Sequence, residues 1–449
     1  MLIRTLQSVV QSDIIRTLAV RALGVLLTFA STTLTALLLG AAEFGTWSAG
    51  LSLALLAAAF APLGTDRLLV RQLSVLDVPQ QQALEVALAH RITAVVGGLL
   101  LAAALVAAAL CHFADCRDWA KTLLIAAALF IPLTLTWLRQ WAAMPIVGTR
   151  NAVLPEQVLI PAGTIAALAT FWLLQITPSA LSAAGIFVGL SMLVWGLSAF
   201  WGPLKTLYRS AALRAVDLSL PGHHSRTRIA SGIHFLPMAL GPMLSQRITP
   251  LVVAAGCGFE DIAHFSYAQL ITGIPAIPLG IISLNLIPQL ARMYKDGNTA
   301  SQQRLVENAT TGILLTAVAL SVLILLASPL LPVMLGAEYA PVRYLLPTLL
   351  LAMLADCATG PTFSVMQTQG LEQVYTRLLV LLVPIQLLLI YSSGMLLSVH
   401  GAALGYLAGR LLWNVAVLTA IRRHRGLLLL PSLRSLQAGF SRLRHAAGY

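Results

Sequence analysis

Four arginines stand inside long apolar runs of this sequence: Arg21, Arg139, Arg247 and Arg410. An unpaired cation costs at least about 2.5–3.5 kcal/mol at the centre of a bilayer on insertion scales. Asp356 is the only acid that we place deep in the same runs. The embedded charge is therefore predicted to be positive, and a cavity lined by positive charge concentrates anionic ligands.

Polar side chains follow Arg21 at helical spacing. The stripe that they form on one helix face comprises Thr17, Arg21, Gly24, Thr28, Ser31, Thr32 and Thr35. A polar stripe about four turns long is typical of a face that lines a wet cavity rather than lipid. The alternative is that the hydroxyls bond back to their own helix while Arg21 reaches the headgroups.

Arg139 shares a helix face with Thr136 and Gln140, and Trp137 and Trp141 lie on the adjoining arc. A guanidinium can donate two parallel hydrogen bonds to a phosphate, so this face suits a pyrophosphate or a sugar. The alternative is that Arg139 reaches the headgroups.

In "PMLSQRITPLVV", Arg247 lies about 100° around the helix from Gln246 and the polar face. It either faces the cavity or reaches the outer headgroups.

Asp356 either neutralises one of the arginines or serves as a proton or sodium coupling site.

The predicted substrate-binding residues are Arg21, Thr28, Thr32, Arg139, Gln140, Gln246, Arg247, Asn285, Arg410 and Asn414. We expect no cofactor and no metal, and we leave proton or sodium coupling open.

The elements that must position these residues are membrane-spanning helices. The 449 residues are 58% hydrophobic and only 10% charged, against about 25% charged in a soluble protein. The apolar runs are continuous and long enough for helices, which excludes the short alternating segments of a membrane β-barrel. The residues that give the net charge of +12 lie mostly between the runs. We therefore expect them to set the orientation of the spans in the membrane rather than to form a nucleic-acid-binding surface.

We predict an all-α integral membrane protein with about twelve spans. They cover residues 15–40, 44–65, 89–111, 120–146, 152–176, 179–203, 229–256, 262–289, 309–333, 342–368, 374–397 and 400–421. Two six-helix bundles, 1–203 and 229–421, flank a basic linker at 204–228. A basic tail at 422–449 is predicted to form an amphipathic helix on the membrane surface.

Most of the 28 Lys and Arg residues fall on one side of these spans. The positive-inside rule then places both termini of a multi-pass protein in the cytoplasm. We expect the membrane to be the bacterial cytoplasmic (inner) membrane.

The four cysteines are predicted to differ in role. Cys257 and Cys357 are expected to be packing residues. Cys111 and Cys116, in "CHFADC", are either independent thiols or a disulfide, which an oxidising periplasm would permit.

The loops are too short for the catalytic domain of a membrane glycosyltransferase or polymerase. The sequence has no phosphate-binding glycine loop, metalloprotease motif or catalytic-triad context. We therefore predict a transporter rather than an enzyme. A non-transporting membrane scaffold is the contrasting class, and the polar stripe of the first span argues against it.

Four stretches resemble the polysaccharide flippases, the O-antigen and related exporters of the multidrug/oligosaccharidyl-lipid/polysaccharide exporter superfamily. They are "AAEFGTWSAGLSLALLAAAFAPLGTDRLLVRQLS", "CGFEDIAHFSYAQLITGIPAIPLGIISLNLIPQLARM", "LLPVMLGAEYAPVRYLLPTLL" and "VHGAALGYLAGRLLWN". The first is similar to the family's acidic-Phe-Gly-aromatic opening, followed by a Gly-led turn and an arginine. The likeness runs through nearly the whole chain.

The resemblance implies a V-shaped pair of six-helix bundles that turn an undecaprenyl-pyrophosphate-linked oligosaccharide to the outer leaflet by alternating access. It also implies membrane lipids, a polysaccharide polymerase and glycosyltransferases as partners, and no nucleic acid. Relatives often carry an acid before the basic residue of the seventh span, whereas this chain has Gln246 before Arg247. A cation-coupled multidrug exporter and a lipid II flippase are the alternatives.

Overall fold

The computed structural model describes residues 2–76, 78–200, 204–215, 222–233, 236–296 and 298–432. Within these ranges the chain is helical, with short turns and no strand. The chain divides into two compact units, Met1–Leu251 and Val252–Tyr449. The described parts of the predicted linker, 204–215 and 222–228, belong to the first unit and are mostly helical.

The first unit holds nine helices among the described residues, the last of which continues into the second unit. They are α1 (Leu2–Phe60), α2 (Thr65–Leu73), α3 (Pro79–Phe113), α4 (Arg117–Leu154), α5 (Ile160–Leu173), α6 (Ala180–Phe200), α7 (Lys205–Ala215), α8 (Gly222–Ile233) and α9 (Leu236–Cys257). A π-helical turn, Pro155–Leu159, joins α4 to α5.

The second unit continues with seven α-helices in the part of the chain that the structure describes. They are α10 (Phe259–Thr272), α11 (Ile277–Lys295), α12 (Thr299–Ala327), α13 (Leu331–Leu335), α14 (Ala340–Thr359), α15 (Thr362–Thr368) and α16 (Glu372–Arg425).

Three long helices contain a backbone break where two predicted spans meet. α1 breaks at Gly40 (φ 72°), α4 at Gly148 (φ 80°) and α16 at Ser398 (φ 54°). Positive φ is the region that glycine enters without a steric penalty, which explains two of the three residues. Eight stretches of the described residues are long and apolar enough to cross a membrane. With these three breaks and α9, the prediction of about twelve spans is confirmed.

Small side chains bring the helices of the first unit together. Ala142 and Ala143 of α4, Ala152 near its end and Ala199 of α6 are fully buried. Such residues let helix backbones approach closely where lipid offers no hydrophobic driving force. α7 packs on α3, with the Tyr208 ring edge-on to His90 at a centroid distance of 5.7 Å.

The chain leaves the helical conformation after Arg425. Gly426 ends α16 with φ 70°, and residues 426–432 continue without helix. The Gln303 side chain on α12 donates to the Leu428 carbonyl (2.7 Å) and accepts from its N–H (2.9 Å). The surface helix predicted for the tail is therefore wrong for residues 426–432, and residues 433–449 lie outside the described residues.

Cys111 and Cys116 are free thiols, so the structure does not contain the disulfide alternative.

Candidate substrate-binding site

Arg139 forms an ion pair inside the first unit. Its side chain is only 2% exposed, and its Nη2 donates to the Ala152 carbonyl (2.6 Å) and to Glu156 Oε1 (3.2 Å). Glu156 lies within an apolar stretch long enough to cross the membrane. Glu156 is thus a second acid within an apolar stretch, beside Asp356, and it neutralises Arg139.

The π-helical turn explains how Glu156 reaches Arg139. Pro155 has no N–H and cannot continue the α-helical ladder of α4, and the backbone widens into i→i−5 bonding, as the Ile160 N–H shows by donating to the Pro155 carbonyl. α1 packs closely against this turn through Gly24, where a Cβ atom would lie 2.8 Å from Gln157 Cβ.

Arg21 lies one turn before Gly24 on α1 and is half-buried. Its Nε is buried, and no residue in the described ranges accepts a hydrogen bond from it. Arg21 thus differs from Arg139, whose charge is offset by a carboxylate.

The hydroxyl stripe of α1 is partly satisfied by its own helix. Ser31 Oγ donates to the Thr28 carbonyl (3.0 Å), and Thr35 Oγ1 donates to the Ser31 carbonyl (2.7 Å). Thr28 is exposed and Thr32 is half-buried. Back-bonding satisfies part of the stripe, and its role as a cavity wall stays a prediction.

Asp356 is the centre of a polar cluster in the second unit. Arg410 Nε donates to both carboxylate oxygens, at 3.1 and 3.0 Å, and Arg410 Nη2 donates to Oδ2. Asn414 Nδ2 donates to Oδ1 (2.7 Å), and Thr359 Oγ1 donates to Asn414 Oδ1 (3.2 Å). Three predicted residues therefore meet here, with Thr359 added.

Both oxygens of Asp356 are engaged by Arg410, which is the geometry of a neutralising partner. A sodium ion or a proton at Asp356 would compete with the guanidinium for the same oxygens. Asp356 as a coupling site stays a prediction, and it now requires that the pair with Arg410 opens.

The remaining predicted residues lie on α4, α9 and α11. Gln140 is half-buried on α4 and Gln246 is exposed on α9. Arg247 is half-buried, and its buried Nε has no hydrogen-bond partner among the described residues. The side chain of Asn285 on α11 lies outside the described residues.

Arg67 is a candidate that is absent from the predicted substrate-binding residues. It follows the Gly-led turn after the second span, and its Cζ lies 3.7 Å from the centroid of the Trp141 ring. Trp141, which the sequence places on the arc next to Arg139, therefore faces Arg67. The signal that could have found it is the Asp66-Arg67 pair at the start of a short helix opposite two tryptophans.

Asp66 fixes this arrangement from inside the protein. Its side chain is fully buried, and its Oδ2 accepts from Trp137 Nε1 (3.0 Å) and lies 3.8 Å from Arg67 Nε. Burial raises the pKa of the Asp66 carboxyl, while the Trp137 hydrogen bond and the charge of Arg67 lower it in part. α2 lies outside the stretches that are long enough to cross the membrane.

No protein-family model and no curated protein matches the chain. Solved structures do match. One match is an inward-facing multidrug resistance transporter of the MATE family in the MOP superfamily. The match covers 91% of this chain and 97% of the transporter chain, with 16% identity and a TM-score of 0.71. The inward closed conformation of the lipid II flippase MurJ also matches, over 91% of this chain and 87% of the MurJ chain, with 11% identity and a TM-score of 0.62. The chain has this exporter fold.

The outward-facing conformation of a MATE family transporter also matches, with 16% identity over 91% of this chain and 94% of its own and a TM-score of 0.59. At these identities the likeness establishes the fold alone. What the chain carries has to be argued from its own residues.

Proposed function

We propose that the chain is a flippase that moves an anionic, undecaprenyl-pyrophosphate-linked oligosaccharide from the inner to the outer leaflet of the cytoplasmic membrane. It works by alternating access and supplies surface polysaccharide biosynthesis. The proposal joins the sequence resemblance to the flippases, the exporter fold and the charge of the embedded residues.

The observation that carries the proposal is an excess of embedded arginine. Glu156 offsets Arg139 and Asp356 offsets Arg410. Arg21 and Arg247 each keep a buried Nε without a hydrogen-bond partner in the described ranges. A buried guanidinium nitrogen without a partner is costly, and a ligand with negative charge would relieve that cost.

The same residues argue against an exporter of organic cations. Such a pump needs an embedded carboxylate that is free to meet the drug or a coupling ion. Glu156 and Asp356 are both held by a guanidinium, and Asp356 also accepts from Asn414. We therefore place the cation-coupled multidrug exporter second.

The proposal leaves the energy source open between protons, sodium and the pull of downstream polymerisation. The lipid-linked oligosaccharide and membrane lipids are the proposed partners. Glycosyltransferases would act before the translocation step, and a polysaccharide polymerase would act after it.

Deletion of the gene in its native host tests the proposal. We expect lipid-linked repeat units to accumulate on the cytoplasmic leaflet and surface polysaccharide to be lost, with recovery on re-expression. Normal polysaccharide together with new sensitivity to cationic drugs would overturn the flippase assignment in favour of the multidrug exporter.

A further inference from the structure

We infer that Arg67, stacked on Trp141, binds the phosphate group of the lipid-linked substrate at the end of the first unit that we predict to be cytoplasmic. This inference rests on the proposed function and assigns part of its binding site. It adds a residue that lies outside the membrane-spanning stretches and that the four embedded arginines do not include.

The guanidinium of Arg67 is held in place before any ligand arrives. The Trp141 ring supports it at 3.7 Å, and Asp66 lies 3.8 Å from its Nε. Asp66 is itself fixed by the Trp137 indole N–H at 3.0 Å. Stacking on an aromatic ring and a carboxylate behind the side chain leave little rotamer freedom, so binding a phosphate would cost less ordering entropy.

The outer donors of Arg67 are open. Its side chain is 34% exposed, and only Nε is buried. None of the described residues accepts a hydrogen bond from its guanidinium. The planar fork of an arginine matches two phosphate oxygens, so the open edge of Arg67 has the geometry for that ligand.

The backbone under Arg67 is also fixed. Gly64 turns the chain from the second span into α2 with φ 78°, and a Cβ atom there would lie 2.1 Å from the Gly232 carbonyl oxygen of α8. Thr65 Oγ1 donates to the Pro62 carbonyl at 2.6 Å. The backbone at the start of α2 is thus held by contacts with the second span and with α8. A backbone fixed in this way can position a binding residue precisely.

Arg71 provides the matched contrast on the same helix. It lies four residues after Arg67 and is exposed, and the structure gives it neither a ring contact nor an ion pair in the described ranges. An arginine that only meets the lipid surface needs no such support, since long side chains reach the headgroups unaided. The support around Arg67 therefore favours a discrete ligand over the membrane surface.

The test uses the full-length protein in nanodiscs of zwitterionic lipid, with farnesyl pyrophosphate as the probe and tryptophan fluorescence as the readout. We expect wild type and Arg71→Gln to bind the probe within about twofold of each other, and Arg67→Gln to bind it about tenfold or more weakly, since a charge-assisted hydrogen bond is worth at least about one tenfold step. Arg67→Lys, which keeps the charge and loses the fork, should bind with intermediate affinity.

Arg67→Gln that binds as tightly as Arg71→Gln would overturn the inference and leave the flippase proposal standing. An equal Arg67-dependent response to added phosphatidylglycerol would also overturn it, because the site would then hold a lipid headgroup. If Arg67→Gln does not fold, Trp141→Phe and Arg67→Lys carry the same comparison. If wild type does not bind the probe, the inference fails, and the leaflet assay above decides the flippase proposal separately.

Discussion

At the residue scale, the arginines of this chain fall into different classes. Arg139 and Arg410 have carboxylate partners, Arg21 and Arg247 have buried nitrogens without a partner in the described ranges, and Arg67 is stacked with its outer edge open. Sequence pattern located the embedded residues because their cost in lipid makes them conspicuous. It could not show which acid each one meets, because pairing depends on how the helices pack.

The pair of Arg139 and Glu156 predicts a specific pattern of stability. Arg139→Met or Glu156→Leu alone should destabilise the protein by about 3–5 kcal/mol, because each leaves a buried charge without its partner. The double variant should recover most of that loss, since both charges are removed together. Thermal unfolding of the purified protein in detergent measures all three variants. A double variant whose loss of stability equals the sum of the two single losses would contradict the pairing.

The pair of Asp356 and Arg410 predicts how turnover responds to substitution. If Asp356 serves to neutralise Arg410, Asp356→Asn should reduce lipid-linked oligosaccharide transport, and Asp356→Asn with Arg410→Gln should restore a substantial part of it. The comparison is made by complementation at equal membrane abundance. A double variant as inactive as Asp356→Asn would instead support a coupling role for the carboxylate.

At the scale of elements, the long apolar runs made the spans predictable. The breaks near Gly40 and Gly148 fall where predicted spans meet, because a helix must stop for the chain to cross again. The π-helical turn at Pro155–Leu159 and the non-helical course of residues 426–432 were not predictable. Pro155 indicates that the ladder of α4 is interrupted, but not that the backbone widens into a π-helical turn. The segment after α16 depends on a partner from elsewhere in the chain, Gln303.

The turn into α2 can be tested with two glycines of similar conformation. Gly64 (φ 78°, ψ 0°) and Gly426 (φ 70°, ψ 5°) are both left-handed, so alanine at either position carries the left-handed strain of about 1–2 kcal/mol. A Cβ at Gly64 would also clash with the Gly232 carbonyl, whereas one at Gly426 meets nothing within 4 Å. Gly64→Ala should therefore lower Tm further than Gly426→Ala. Equal shifts would mean that the close approach of α8 is not present in solution.

At the scale of the whole molecule, the fold is that of an exporter, and the orientation of the chain stays a prediction of the positive-inside rule. Cys116 is exposed in the loop after α3, and Arg209 is exposed on α7. A membrane-impermeant maleimide added to spheroplasts should label Cys116. Arg209→Cys, made in a protein with Cys111 and Cys116 replaced by serine, should react only after permeabilisation. Labelling of that variant in sealed spheroplasts would reverse the predicted topology.

The central claim is that the chain moves a pyrophosphate-linked glycolipid between leaflets. The most direct measurement reconstitutes the purified protein in liposomes that carry an undecaprenyl-pyrophosphate-linked oligosaccharide and follows its exposure to an impermeant glycan-binding probe. We predict faster exposure than in protein-free liposomes, with slower exposure for Arg67→Gln and a rate close to wild type for Arg71→Gln. Exposure at the protein-free rate, together with protein-dependent movement of cationic drugs, would contradict the account.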